Sequence, residues 1–345
     1  MNSINRQSLK QLAIVLIVIA AVIMLVSGCS QRSLNSRGDR SGKMDSVVMA
    51  YSPFESTALL WIAEDQRYFS QNGLKVTSRK YASGAGSLDG MLNGEADIAA
   101  GVTEFPLVGK AFQKKRIRAI ASIDRGEFIY IVARKDRGIE KVADLKGKRV
   151  GTTFGTIAEF HLGRFLDLNG ISTKDITLVD VKTPEEWVNA VVNGDIDAIA
   201  TAQPYADSAK DGLGANAVAW PAQSNQPLYA MIISTDEWIK KHPEPIRKFL
   251  ESLAQAEEYA FSNPAEAKAI IQKRLNLDAA YIETVWSQNQ FSLSLDQSLI
   301  LAMEDEARWM IKNNVTTETA IPDFLDHIYI DGLKEVKPEA VNIIR

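Results

Sequence analysis

The stretch Asn93-Gly94-Glu95-Ala96-Asp97-Ile98-Ala99 returns 100 residues later as Asn193-Gly194-Asp195-Ile196-Asp197-Ala198-Ile199. In each copy a glycine follows a helix-like segment and leads into an apolar run of strand character. Glycine takes the left-handed backbone past a helix end without steric cost, so each copy reads as helix, stop, strand. A second pair of such stops, Gln71-Asn72-Gly73-Leu74 and Leu168-Asn169-Gly170-Ile171, lies 21 and 24 residues upstream. Working outward, the first unit reads strand 46–51, helix 57–70, strand 74–81, helix 86–92 and strand 97–101. The second reads strand 148–153, helix 157–168, strand 176–181, helix 184–192 and strand 196–201. Alternating strands and helices demand right-handed crossovers and a largely parallel sheet. Two such units predict an α/β protein of two lobes with mixed, mostly parallel sheets.

Glu127 to Arg134 and Leu228 to Ser234 are apolar, strand-like segments near the two ends of the second unit. They predict a double-strand hinge, with lobe I over 45–134, lobe II over 135–231, and a return to lobe I with C-terminal helices over 232–345. Those helices are expected from Pro243 to about Phe261, from Pro264 onward, and over 296–313.

A chain of 345 residues is long enough for about two domains. Its 24% charged and 46% hydrophobic residues exclude a disordered or multi-span membrane protein. The formal net charge of −4 offers no basic footprint for phosphates, so no nucleic-acid partner is expected. One cysteine and three histidines (His161, His242, His327) leave little for metal or general-base chemistry. His161 reads as a surface or satisfied core residue, and no cofactor, metal or catalytic group is expected. Arg6 and Lys10 precede an apolar run of 15 residues, Leu12 to Val26. A membrane span wants about 20, so the run is nearer a signal-peptide core. It ends Leu25-Val26-Ser27-Gly28-Cys29, which resembles the bacterial lipoprotein cleavage box. That resemblance implies a signal peptide over 1–28 and a diacylglyceryl group on Cys29, with the chain held at the cell envelope on its extracytoplasmic side. Residues 29–44 are rich in Ser, Gly and Arg and read as a flexible tether. The leader contributes +2 and the tether +3 to the total of −4, which leaves −9 from Asp45 onward.

Four segments then fall in a recognisable order: Tyr68-Phe69-Ser70-Gln71-Asn72-Gly73-Leu74, Asn93-Gly94-Glu95-Ala96-Asp97-Ile98, Ala143-Asp144-Leu145-Lys146-Gly147-Lys148-Arg149-Val150-Gly151 and Gly194-Asp195-Ile196-Asp197-Ala198. Over about Val47 to Asp326 the chain resembles the solute-binding proteins of ABC importers for sulfonates, taurine, nitrate and thiamine precursors. The resemblance implies a periplasmic-binding-protein-like fold with five-stranded sheets and a discontinuous first lobe. It also implies capture of a small-molecule ligand between the lobes and delivery to an importer permease, by a chain expected to act as a monomer. Ala158 stands where taurine-type members often carry a His, and the cysteine-rich motif of the pyrimidine-synthesising relatives is absent.

In open α/β sheets ligands bind beyond the carboxyl ends of the strands. Those ends carry Ser52, Phe54 and Glu55; Gly84, Gly86 and Ser87; and Thr103 and Glu104 in the first unit. In the second they carry Phe154, Gly155, Thr156 and Glu159, then Gln203 and Tyr205. Loops that run into helix N-termini favour an anion. The glycines allow close approach, the hydroxyls suit sulfonate or carboxylate oxygens, and Phe54, Phe154 and Tyr205 supply an apolar wall. Each feature has a structural alternative. Ser56, Ser87 and Thr156 would serve equally as N-caps, and Glu55 and Glu159 as dipole partners at helix starts. A glutamate facing the cleft would pair with an amino group instead. Trp187 and Trp220 read as packing or rim residues.

The ligand expected is a small organic anion such as an alkanesulfonate or taurine, with a thiamine-precursor pyrimidine or a nitrate-like solute as alternatives. An enzyme on the same fold would need a catalytic constellation that the chain lacks, and a transcription regulator would need a DNA-binding motif in place of the lipoprotein box. Cys29→Ala is expected to abolish lipid attachment and processing at Gly28–Cys29. Intact-mass measurement of membrane-extracted protein checks this, and an unlipidated Cys29 in the unmutated chain would exclude the anchor.

Overall fold

The computed structural model describes residues 44–344. The leader over 1–28, Cys29 and the tether as far as 43 lie outside the described residues. Eleven strands form two sheets: β1 (Asp45–Tyr51), β2 (Leu74–Lys80), β3 (Ile98–Val102), β4 (Ile117–Gly126), β5 (Ile129–Arg134), β6 (Arg149–Thr152), β7 (Thr177–Asp180), β8 (Ala198–Ala202), β9 (Ala217–Pro221), β10 (Leu228–Thr235) and β11 (Asn289–Gln290). Their orders are β11-β4-β10-β3-β1-β2 and β7-β6-β8-β5-β9. Leaving aside the two-residue β11, the two sheets have corresponding strand orders, with β10 in the first taking the place of β5 in the second. Strands β1 to β4 run one way in the first sheet and β6 to β9 one way in the second, while β5, β10 and β11 oppose them. Both sheets are therefore mixed and mostly parallel, and β11 makes the first six-stranded rather than five.

All four Asn-Gly glycines (Gly73, Gly94, Gly170, Gly194) are left-handed, with φ from +68° to +83°. Three elements depart from the sequence reading. The helix expected over 57–70 is broken at Arg67, whose φ of 61° separates Ala58–Asp65 from Tyr68–Gln71. Strands β4 and β9 were not anticipated. Most of β4 is buried on both faces, so it lacks the polar alternation that marks a half-exposed strand.

The third departure is the hinge. Among the described residues β5 pairs only with β8 and β9, and β10 only with β3 and β4. Each strand lies wholly within one sheet, so neither crosses between lobes. The crossings are the short segments 127–128 and 222–227, which moves the lobe boundaries from 134 and 231. Gln223 sits between them, 1% exposed. Its Oε1 accepts from Phe128 N (2.6 Å) and Ile129 N (2.8 Å), and its Nε2 donates to Gly126 O and Gln226 O, both at 3.1 Å. One side-chain amide thus ties the two crossings together with every donor and acceptor used. The lobes also meet through Phe105, Phe160 and Trp309, whose ring centroids lie 5.8–5.9 Å apart. A Cβ on Gly163 would lie 2.1 Å from Trp309, so only glycine permits that approach.

The repeated motif has one job in each lobe. Asp97 N donates to Val48 O (2.8 Å) and its carboxylate accepts from Val48 N (2.7 Å). Asp197 does the same with Arg149, at 2.8 and 2.9 Å. Each aspartate pins the first parallel strand of its lobe. A charged acceptor on a backbone N–H is worth about 1.5–3 kcal/mol. Asp97→Ala and Asp197→Ala are each expected to destabilise the fold by about 1–3 kcal/mol, with the Asn variants costing less because they keep an acceptor. Urea unfolding midpoints test this, and unchanged midpoints in both Ala variants would remove the clamp from the account.

Candidate ligand-binding site

The carboxyl ends of the parallel strands of both lobes converge on one cleft. From the first lobe come Phe54 and Ser56 after β1, Ser83 and Gly84 after β2, and Thr103 after β3. From the second come Thr153 and Thr156 after β6, Thr201 in β8, and Trp187 from the helix Pro184–Asn193. Phe128 and Ile129, at the hinge, close the back. Among the described residues no charged side chain lines this cleft.

Two helices, Glu104–Phe112 and Ile157–Leu168, start at the cleft from opposite lobes. Their N-cap residues, Thr103 and Thr156, make no side-chain capping bond. Thr156 Oγ1 instead donates to Thr153 O at 2.7 Å. The first-turn N–H groups of these helices are not met by their cap side chains, so two dipole ends reach the largely apolar cleft from opposite lobes, each partly offset by a first-turn glutamate, Glu104 or Glu159. A third helix, Gly84–Leu92, differs in being capped, with Ser83 Oγ accepting from Gly86 N at 3.1 Å. Phe54 lies nearly parallel to Trp187 (6.5 Å, 20°), and Tyr205 meets both edge-on at 6.2 and 5.2 Å. Trp187 is fixed by Nε1 donating to Thr153 Oγ1 (2.8 Å) and Val181 O (3.0 Å).

Of the residues expected here, Phe54, Gly84, Thr103 and Thr156 line the cleft. The rest sit elsewhere. Ser52 is buried with its Oγ toward Gly101 O (3.4 Å), and Ser87 bonds back to Ser83 O (3.2 Å). Gly86 serves the helix cap. Phe154 and Gly155 open onto the neighbouring surface. Gln203 is buried and accepts from Asp207 N at 3.2 Å, while Tyr205 backs the aromatic group. Gly84 admits a backbone rather than a ligand, since a Cβ there would lie 2.3 Å from Gly101 O. The glutamates all turn away from the cleft. Glu159 accepts from Gly155 N (2.7 Å) at its own helix start, and Glu55 accepts from Tyr281 (2.7 Å). Glu104 accepts from Tyr229 N (3.0 Å), and burial pushes it up to about 8. Glu306 is buried beside it and raised by desolvation and then by the Glu104 charge. His161 is buried with neither ring nitrogen hydrogen-bonded among the described residues, rather than exposed or satisfied. Burial, then Arg164, lowers it to about 3, so it is neutral. Ser83 and Thr153 carry the cleft without having been expected there, and Trp187, read as a packing or rim residue, lines it as well. Ser83 fits the N-cap pattern at a strand end, but the Trp187 position depends on packing between β6 and its helix.

The NMT1/THI5-like family model matches residues 55–267. A Brucella abortus (strain 2308) protein, named only as a candidate binding protein, is 25% identical over 72% of this chain and 76% of its own length. The taurine-binding periplasmic protein of Escherichia coli (strain K12) is 26% identical over 63% of this chain and 67% of its own. A 4-amino-5-hydroxymethyl-2-methylpyrimidine phosphate synthase of Aspergillus parasiticus is 24% identical over 61% and 64%. Among solved structures, the alkanesulfonate-binding protein of Xanthomonas axonopodis pv. citri, bound to MOPS, superposes with a TM-score of 0.73. It does so at 18% identity over 84% of this chain and all of its own, which shows the fold.

Glu55 makes the protein's stability depend on pH. Burial raises it from 4.5 to about 7, against the hydrogen bond from Tyr281. Between those values the folded chain holds a proton that the unfolded chain releases, so stability falls as pH rises through that window. Glu55→Gln keeps an acceptor for Tyr281 and removes the titration. Relative to the unmutated chain it is expected to gain stability between pH 4.5 and pH 8, by up to roughly 3 kcal/mol. Urea midpoints at the two pH values measure the gain, and an equal difference at both would contradict it.

Proposed function

The chain belongs to the NMT1/THI5-like family, and from that premise we propose an extracytoplasmic solute-binding protein, lipid-anchored through Cys29. It captures a small organic monoanion in the inter-lobe cleft and delivers it to an ABC importer, acting as a monomer. One observation carries the ligand class: two helix N-termini without N-cap side-chain bonds, from opposite lobes, face a cleft that no charged side chain lines among the described residues. Such ends attract a single negative charge through N–H groups and the helix dipole. A buried Lys or Arg is not needed, and a dianion would be poorly compensated. Because the donors come from both lobes, a bound anion contacts both only when they close. That differential contact is what shifts an open–closed equilibrium. The glutamates turned away from the cleft leave nothing acidic to hold an ammonium, which supports an alkanesulfonate over taurine.

A thiamine-precursor pyrimidine is the second reading. Phe54 and Trp187 favour it, as nearly parallel rings on opposite lobes that could flank a flat heterocycle. Calorimetric titration with alkanesulfonates, taurine, nitrate and aminopyrimidines separates the two. For an alkanesulfonate, Thr156→Ala is expected to weaken binding by about 1–3 kcal/mol, and Glu159→Gln to leave it unchanged. For a pyrimidine, Trp187→Ala would dominate instead. Binding of none of these compounds would sink the ligand class and leave the fold standing.

A further inference from the structure

A second cavity, of about 480 Å³, adjoins the cleft. The two share Ala85 and Pro106 on the first lobe, and on the second Phe154 and Gly155 continue the chain between Thr153 and Thr156. The cleft encloses only about 80 Å³, well below the roughly 300–1,000 Å³ of organic ligand sites, whereas the groove falls within that range. Its floor is apolar, with Phe105 and Phe112 buried beneath it and Met310 and Val315 on the far side. Phe154 and Val315 are large apolar side chains left 43% and 44% exposed, one on each lobe, and both face this groove. The charges along it oppose an anionic head: Lys110 is paired with Asp89 at 2.6 Å, and Glu318 stands without an ion-pair partner among the described residues.

We propose that this groove is a tail subsite, and that the ligand is an amphiphile. Its anionic head sits between the Thr103 and Thr156 helix ends, and its apolar chain passes between Pro106 and Gly155 into the groove. The proposal rests on the monoanion reading of the cleft and adds the length and character of the tail. Burial of successive methylenes then sets specificity, because each one removed from water strengthens binding by a similar factor until the groove is full. Gly109 offers a direct way to block it. A Cβ there would make ordinary contact, 3.8 Å from Met310 Cε, so a larger side chain enters the groove without a backbone clash.

The test is calorimetric titration of the full chain with linear alkanesulfonates from methanesulfonate to octanesulfonate. Affinity is expected to rise about fourfold per methylene over the first several members and then level off. In Gly109→Leu the rise should be lost while methanesulfonate binds as before. Phe154→Ala, which removes an exposed wall and should not disturb the core, should reduce the increment for the longer members only. A flat series with methanesulfonate still bound would overturn the tail subsite and leave the monoanion reading intact. Failure of every member to bind would overturn both. A flat series with self-association that disappears in Phe154→Ala would assign the groove to a second copy of the chain, and would also overturn the proposal.

Discussion

The two aspartate clamps, Asp97 on Val48 and Asp197 on Arg149, are the constraint from which the rest of the molecule follows. Each links the segment entering the third strand of its lobe to the first strand, at the middle of β1 or the start of β6, through a backbone and a side-chain bond together. In a sheet a slip of one residue turns every side chain to the other face. Fixing the middle of β1 and the start of β6 therefore fixes which residues emerge at their far ends, and so where Phe54, Ser56, Thr153 and Thr156 stand. The main-chain carbonyls of the same aspartates accept from Ser234 and from Arg134 N, at 2.8 and 3.1 Å. The clamp thus reaches the opposing strand of each lobe, β10 or β5. That strand is the first after a crossing, which joins the register of each sheet to the hinge.

The hinge is built for a rotation about short segments. Crossings at 127–128 and 222–227 leave little chain to move, and Gln223 satisfies Gly126, Phe128, Ile129 and Gln226 at once. A buried amide with all its bonds made is costly to disturb, so motion is confined to torsions that keep those four bonds. Arg164 donates to Gln223 O at 2.8 Å and connects the helix Ile157–Leu168 to the same point. The N-terminus of that helix faces the ligand cleft and its flank packs on Trp309. One rigid helix therefore joins the anion-facing end of lobe II, the hinge and the aromatic contact with lobe I.

Electrostatically the site works by local dipoles against an unfavourable background. The body from Asp45 onward carries −9, so long-range attraction does not bring an anion to the cleft. Compensation comes within it, where acids are kept out of contact. Glu104 and Glu306 are buried and pushed up in pKa by desolvation, Glu55 is engaged by Tyr281, and Glu159 is spent on its own helix start. Burial raises Glu104 and Glu159 alike, which lessens the negative charge that these first-turn acids set against the helix ends.

The sequence by itself determined the two-lobe α/β architecture. Its evidence was local: left-handed glycines at helix ends, the echo of Asp97 in Asp197, and the alternation of helix-like and strand-like runs depend only on neighbouring residues. It also determined which loops reach the cleft, because strand direction dictates that. Tertiary structure alone decided the orientation of side chains within those loops. Glu55 and Glu104 lie at loop ends that could reach a ligand, yet their turn to the distant Tyr281 and Tyr229 is settled by partners on other elements, whereas Glu159 keeps the local helix-start role its sequence position allows. The same holds for Trp187, whose indole is drawn to Thr153 and Val181 across the sheet, and for β4, whose burial on both faces erased the periodicity that would have revealed it. The hinge, too, was decided only there, because strand pairing is a contact between distant segments, and it alone says to which sheet 129–134 and 228–235 belong.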